Sequence, residues 1–259
     1  MADLHRDRRR WLYGVAGIGT GAVAGYFARH RVFKSVAETI ADDQKPFRDQ
    51  ARNIMAAHQR QTAETVAALK RRYEGEVYGQ ARVWDMIQAM GQVVDPTDTI
   101  LFCTSQLVHV RQVLAAMARD QVKDETLILA ALLHDMGKVI ALRHAAPEDV
   151  FGSTLPLGEP AAGAGLAHVV FQFGHPEYVW SRLKDHVTPE VAWLLRFHGV
   201  PLDDVRPYLD AQDRAFTEKY LVPFRKYDLW TKSMVEWPAL DWQPYRELIE
   251  AHFPAPIRF

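Results

Sequence analysis

The eight residues Ala131-Leu132-Leu133-His134-Asp135-Met136-Gly137-Lys138 constrain this chain more than any other stretch. They place an imidazole and a carboxylate side by side at the end of a segment that is apolar on nearly every face, so the pair must be buried. Burying both groups without partners costs several kcal/mol. A metal ion is one compensation, since it accepts both groups and a carboxylate can bridge two ions. A plain His–Asp hydrogen bond in the core is the other, and the pair alone does not choose between them.

Composition narrows the choice of ligands. Cys103 is the only cysteine, which excludes an internal disulfide framework and a thiolate cluster. A metal here would be held by His, Asp and Glu, a donor set that suits iron, manganese or zinc, and eleven histidines are available. With a formal net charge of −1, nothing argues for a nucleic-acid or polyphosphate surface. No oligomeric state is written in the pattern, and a monomer is the default.

The first 34 residues read as a leader. Arg8-Arg9-Arg10-Trp11-Leu12 precedes an uncharged Gly- and Ala-rich run from Tyr13 to Ala28, close to the lower end of the roughly 17–25 residues that span a bilayer. The order of basic, apolar and small residues is that of an export signal, and the arginine pair resembles a twin-arginine signal. Export or inner-membrane anchoring is therefore expected, with a cytoplasmic location as the alternative. Residues 35–56 read as a polar helical linker and 57–259 as the functional domain.

Helical spacing dominates that domain. Ser35 to about Arg72 reads as exposed helix interrupted at Pro46, and His58-Gln59 as a helix start. Leu107 to Met117, carrying His109, is amphipathic, and Thr126 to Leu142 is a central helix. Ala145 to Ala167 reads as loop. Pro176 suits the first turn of a helix opened by His175, while Thr188-Pro189 starts another that stops at His198-Gly199. Ala215 to Met234 and Tyr245 to His252 complete the set. No strand alternation is evident, so the predicted fold is all-α. On an α-helix, residues four apart share a face, which would put Lys138 beside His134 and Lys232 beside Asp228; a solvated ion pair is the simpler account of Lys232.

Taken together, these motifs resemble the myo-inositol oxygenase family, a branch of the HD-domain superfamily. The resemblance runs over about 200 residues, from His58 to the C-terminus. It rests on Val93-Val94-Asp95-Pro96-Thr97-Asp98, on His109 placed 25 residues before His134, and on the loop Val150 to Gly158. Phe173-Gly174-His175-Pro176-Glu177-Tyr178, Arg196-Phe197-His198 and Tyr227-Asp228-Leu229-Trp230-Thr231-Lys232 follow in the family's order.

The resemblance implies an HD-type helical bundle and a centre of two iron ions, mixed-valent Fe(II)/Fe(III), with O2 as co-substrate. Its implied ligands are His109, His134, Asp135, His175, His198 and Asp228, with Asp135 bridging, Asp228 on the ion of His109 and His134, and the other two histidines on the second ion. The implied reaction is ring-cleaving oxidation of myo-inositol to glucuronate. Lys138 and Lys232 match substrate lysines, and Lys138 and Asp135 are implied to be catalytic. Asp95 matches a polyol contact, with Asp98 a rival by one residue of spacing. Gly152 and Ser153 match the substrate-covering loop, and Arg48 a substrate arginine. Two positions depart from the family pattern: Ser153 replaces an aspartate, and Gly199, after His198, replaces a serine. The competing expectations are an HD-type metal-dependent phosphohydrolase and a membrane-tethered binding protein that has lost turnover. The remaining histidines, His58 among them, are expected in surface or satisfied-core roles.

Overall fold

The structure is a computed structural model, and it describes residues 45–75, 77–101, 103–234 and 237–259. A compact unit spans Phe47–Phe259, and all six candidate ligands lie in it. The leader and the first part of the polar linker lie outside the described residues. Among the described residues, no helix is long and apolar enough to cross a membrane.

The architecture is all-α. Helix α1 (Lys45–His58) takes Pro46 in its first turn, where the missing N–H costs nothing. His58 is its last residue rather than the start of a new helix, as the turn bond from Gln61 N to His58 O shows. Helix α2 (Ala63–Glu74) is capped by Thr62 and buries Val66, Leu69 and Tyr73 on one stripe. The first two helices are therefore not merely exposed, because Ile54, His58 and that stripe join the core.

Helix α3 (Val83–Ala89) leads through a short 3₁₀ turn into the acidic segment, and α4 (Gln106–Arg119) follows. Helix α5 (Glu125–Leu133), capped by Asp124, buries Leu127 and every residue from Leu129 to Leu133. The helix expected to run from Thr126 to Leu142 stops there. His134 caps α5, and Met136–Arg143 winds as 3₁₀, with Lys138 N bonded to Asp135 O at 2.9 Å. That tighter winding makes residues three apart, not four, share a face. Within the stretch read as loop, Pro147–Val150 forms the short helix α6. Leu155 and Leu157 pair with the backbone of Gln172 and Val170.

Helices α7 (His175–Leu183) and α8 (Pro189–Phe197) start as expected at their prolines. After α9 (Leu202–Val205), helix α10 (Ala211–Phe216) opens with a capping box between Asp210 and Asp213. It passes through a π-helical turn, Thr217–Leu221, into α11 (Val222–Trp230), so the single helix expected through Met234 is composite and ends at Trp230. The last helix is α12 (Gln243–His252). A two-residue antiparallel pair, β1 (Gln80–Ala81) with β2 (Ile257–Arg258), ties the chain's end to the entry of α3.

Helices α4, α5, α7, α8 and α11 form the bundle: α5 packs on α4 and α8, α7 on α8, and α11 on α4 and α5. Glu177 and Arg196 clamp α7 to α8 through an ion pair at 2.8 Å, which Lys70 of α2 joins at 2.7 Å. These are the two helices whose ends carry His175 and His198.

Candidate metal centre

Six side chains from five helices or helix ends converge. His109 comes from the first turn of α4, His134 and Asp135 from the end of α5, His175 from the first position of α7, His198 from the cap of α8, and Asp228 from α11. All six are buried. The four imidazoles lie in a chain, with ring centroids 5.4 Å apart for His109–His134, 5.1 Å for His134–His198 and 5.5 Å for His175–His198.

Asp135 divides this set in two. Its Oδ1 faces His175 Nε2 at 3.1 Å and His198 Nε2 at 3.9 Å. Its Oδ2 faces His134 Nε2 at 3.5 Å and His109 Nε2 at 3.9 Å. Asp228 stands on the second side only, with Oδ1 at 3.0 Å from His109 Nε2 and 3.7 Å from His134 Nε2. Two groups of potential metal ligands result, His109–His134–Asp135 and Asp135–His175–His198, sharing one carboxylate.

Hydrogen bonding tests whether cations fit between these groups. His175 Nδ1 donates to Val150 O at 3.0 Å, and His198 Nδ1 to Leu195 O at 3.0 Å. His134 Nδ1 lies 3.2 Å from both Ala130 O and Ala131 O. A proton committed to Nδ1 leaves Nε2 as a bare lone pair, here directed at carboxylate oxygens that also carry only lone pairs. The Nε2 atoms of His134 and His175 are accordingly buried without a hydrogen-bond partner. Backbone carbonyls orienting the distal nitrogen are what a metal-ligating histidine requires. A metal ion turns this facing of lone pairs from repulsion into coordination.

The charge states agree. Burial depresses His134 and His198, the latter to about 3, so both are neutral and able to bind metal near pH 7. Burial opposes ionisation of Asp135, but the Lys138 ammonium, 3.0 Å away, holds its carboxyl well below the usual range. Burial likewise opposes the Asp228 charge, and the hydrogen bond with His109 together with the neighbouring imidazoles brings its carboxyl below the usual range.

Around this centre the sequence-predicted substrate residues take unequal places. Lys138 does not pair with His134 as α-helical spacing implies; the 3₁₀ winding turns it onto Asp135, and its Nζ also meets Asp95 Oδ2 at 2.9 Å and Gln106 Oε1 at 2.8 Å. Lys232 lies beyond the end of α11 and pairs with Asp98 at 2.8 Å rather than standing beside Asp228. Asp95 and Asp98 are thus both occupied, each by its own lysine and each also accepting backbone N–H groups of its own turn. Arg48 is exposed on α1, next to Phe47. Phe47 lines, with Val94, Pro96 and Phe151, a cavity of about 410 Å³.

Three residues that spacing does not single out complete the surroundings. His58, expected in a generic role, spans the carbonyl oxygens of Glu148 and Ser153 at 2.8 Å each and so holds the loop beside the centre. Gly152, with φ at +140°, passes so close to this ring that no Cβ fits. Gln61 brackets Phe173, accepting from its N–H at 2.7 Å and donating to its carbonyl at 3.1 Å, two residues before His175. Gln106 receives Lys138. Of the three, only Gln106 carries a usable sequence signal, standing one helical turn before His109.

An all-α bundle closing four buried histidines around one shared aspartate, with Asp228 beside His109, defines a helical protein with a candidate metal centre. Comparison with known proteins is specific. A family model described as "Myo-inositol oxygenase" matches residues 48–162 and 157–259. Inositol oxygenase 4 of Arabidopsis thaliana is 27% identical over 241 residues, covering 78% of this chain and 76% of that protein. Inositol oxygenase of Homo sapiens is 26% identical over 235 residues, covering 76% and 82%. The chain belongs to the myo-inositol oxygenase family. That membership makes it an oxidoreductase with a metal-binding centre and sets aside the phosphohydrolase reading.

Proposed function

We propose that this protein is a non-haem di-iron oxygenase that uses O2 to oxidise myo-inositol, or a related cyclitol or polyol, with opening of the ring to a uronic acid such as D-glucuronate. The observation that carries the reading is the division of Asp135, one carboxylate oxygen toward His175 and His198 and the other toward His109 and His134. His109, His134 and Asp228 would hold one iron, His175 and His198 the other, and Asp135 both. When bound, a mixed-valent Fe(II)/Fe(III) pair supplies the O2 chemistry and the Lewis acidity toward alcohol oxygens.

The chain's own residues do the positioning. Lys138 keeps Asp135 ionised and ties it to Asp95, so the bridging carboxylate and the acidic turn move as one body. The Asp98–Lys232 pair forms a second charged edge suited to a polyol's hydroxyls. Gly152 and Ser153, on the loop that His58 holds, would cover the substrate, and Arg48, exposed on α1, would add a cation to its recognition. Burial of all six ligands keeps bulk water from the reacting carbons. Ser153 and Gly199 each remove a polar contact from this pocket, which makes the choice among polyols the property most open to change.

Oxygen uptake by the iron-loaded protein over a panel of polyols, with phosphatase assays on the same preparation, tests the reading. Uptake dependent on myo-inositol with glucuronate formed supports it. Phosphate release without oxygen uptake overturns it.

A further inference from the structure

His58 is buried at the end of α1, and both of its ring nitrogens are engaged. Nδ1 lies 2.8 Å from Glu148 O and Nε2 2.8 Å from Ser153 O. Both partners are carbonyl oxygens, which only accept, whereas a neutral imidazole carries a single N–H. In either neutral tautomer a bare nitrogen would press its lone pair against a carbonyl oxygen. Gln61 does not relieve this. Its NH2 group donates to Phe173 O at 3.1 Å and Glu148 O at 3.3 Å, and its approach to Nδ1, at 3.4 Å, is longer than either. A ring with a proton on each nitrogen satisfies both carbonyls at once.

The segment so held also touches the metal centre. Between Glu148 and Ser153 stands Val150, whose carbonyl accepts from His175 Nδ1 at 3.0 Å. Residues 148–153 are therefore pinned to His58 at both ends and to a candidate ligand in the middle. Gly152 closes onto the ring, where a Cβ would lie 2.5 Å from its carbons. A buried cation needs opposite charge nearby, and α6 supplies it. The charged and titratable groups about the ring are Glu148 and Asp149, with Arg72 and Tyr73 of α2 on the Asp149 carboxylate at 3.6 and 3.2 Å. Residues 172–174, packed on the other side, bring none.

We infer that His58 is a positioning residue of the centre: its doubly protonated ring pins residues 148–153, and with them the carbonyl that orients His175. The hold on His175 stands on the geometry alone, while the covering of substrate by this loop rests on the oxygenase reading above. Loss of one ring proton releases one of the two carbonyls. The grip is thus present in acid and weakens as pH rises.

Hydrogen–deuterium exchange of residues 148–157 in the iron-loaded full chain, from pH 6 to 9, tests this. Rates are corrected for intrinsic base catalysis and compared with residues 127–133 of α5. The variants are His58→Gln, whose neutral amide donates to one carbonyl at a time, and His58→Phe, which keeps a ring against Gly152 and donates nothing. Wild-type protection of the loop should fall at least about tenfold across that range while α5 is unchanged, since a hydrogen bond from a charged donor contributes about 1.5–3 kcal/mol. Both variants should begin at the loosened level and fall no further. At pH 6 they should also release one iron per chain to a chelator about tenfold faster than wild type, as loss of a ligand's orienting partner predicts. A merely structural His58 would leave a gap between wild type and variants that does not change with pH. That result, or wild-type protection constant from pH 6 to 9, overturns the assignment; if neither variant folds, the wild-type profile decides alone. No polyol enters the experiment, so a failure of the protein to bind inositol would sink the oxygenase reading and leave this result standing.

Discussion

Gly137 lies against the backbone of His175 with no room for a side chain between them: a Cβ there would fall deep inside the contact distance of the His175 carbonyl oxygen. Two residues after Asp135, this contact sets how closely the 3₁₀ segment approaches α7, and so the 3.1 Å separation of Asp135 Oδ1 from His175 Nε2. Gly137→Ala must push the two backbones apart. Overpacking of this kind costs about 1–3 kcal/mol. The variant should unfold at lower urea and bind less iron, and an unchanged urea midpoint with full iron content would refute the packing argument.

Asp135 serves both ligand groups, Asp228 only one. Asp135→Asn should therefore reduce bound iron at both positions, whereas Asp228→Asn should spare the His175–His198 side. Metal analysis of the two purified variants distinguishes them. Equal, half-loaded stoichiometry in both would argue against a shared carboxylate.

Chelation should lower the melting temperature. Metal at about 100 times its Kd stabilises a folded protein by about 2.7 kcal/mol, and each kcal/mol shifts Tm by about 2–4 °C at this size. A drop of some 5–10 °C on iron removal is therefore expected by calorimetry, largely absent in Asp135→Asn.

Acid should erase the contribution of Lys232. Burial raises the Asp98 carboxyl, but Lys232 and the N–H groups of Leu101 and Ile100 bring it below its ordinary value of 3.8. A depressed carboxylate stabilises the fold above 3.8 and loses that contribution as pH falls through its folded value. Lys232→Met should then cost about 2 kcal/mol near pH 7. The gap to wild type should close below pH 3.8, as urea titrations across that range would reveal.

Gly199→Ser is expected to fold normally, because a Cβ there meets only Thr154 Oγ1 at an ordinary 3.5 Å. It returns a hydroxyl beside His198. A KM for myo-inositol lowered several-fold, with Tm unchanged, is the predicted outcome of steady-state oxygen uptake; an unaltered KM across all polyols would show that position 199 takes no part in selection.

Much of the bundle was readable because its start signals are local. Pro176, the Thr188-Pro189 pair and the buried stripe of α4 each act within a turn of helix, so His175, His198 and His109 could be placed at particular helix positions from sequence alone. The break after Leu133 was not readable, since Met136 to Arg143 is as compatible with α as with 3₁₀ winding, and the change from fourth-residue to third-residue neighbours moved Lys138 from His134 to Asp135. Pairings such as Lys232–Asp98 and His58 with Ser153 O join residues 134 and 95 apart. No periodicity encodes them, and only the packed bundle brings them together.

The ring of His58 grips the loop through main-chain oxygens alone. Position 153 can consequently exchange its side chain while the loop keeps its shape. On the proposed reading, in which this loop covers the polyol, a single substitution there would alter recognition and leave folding untouched.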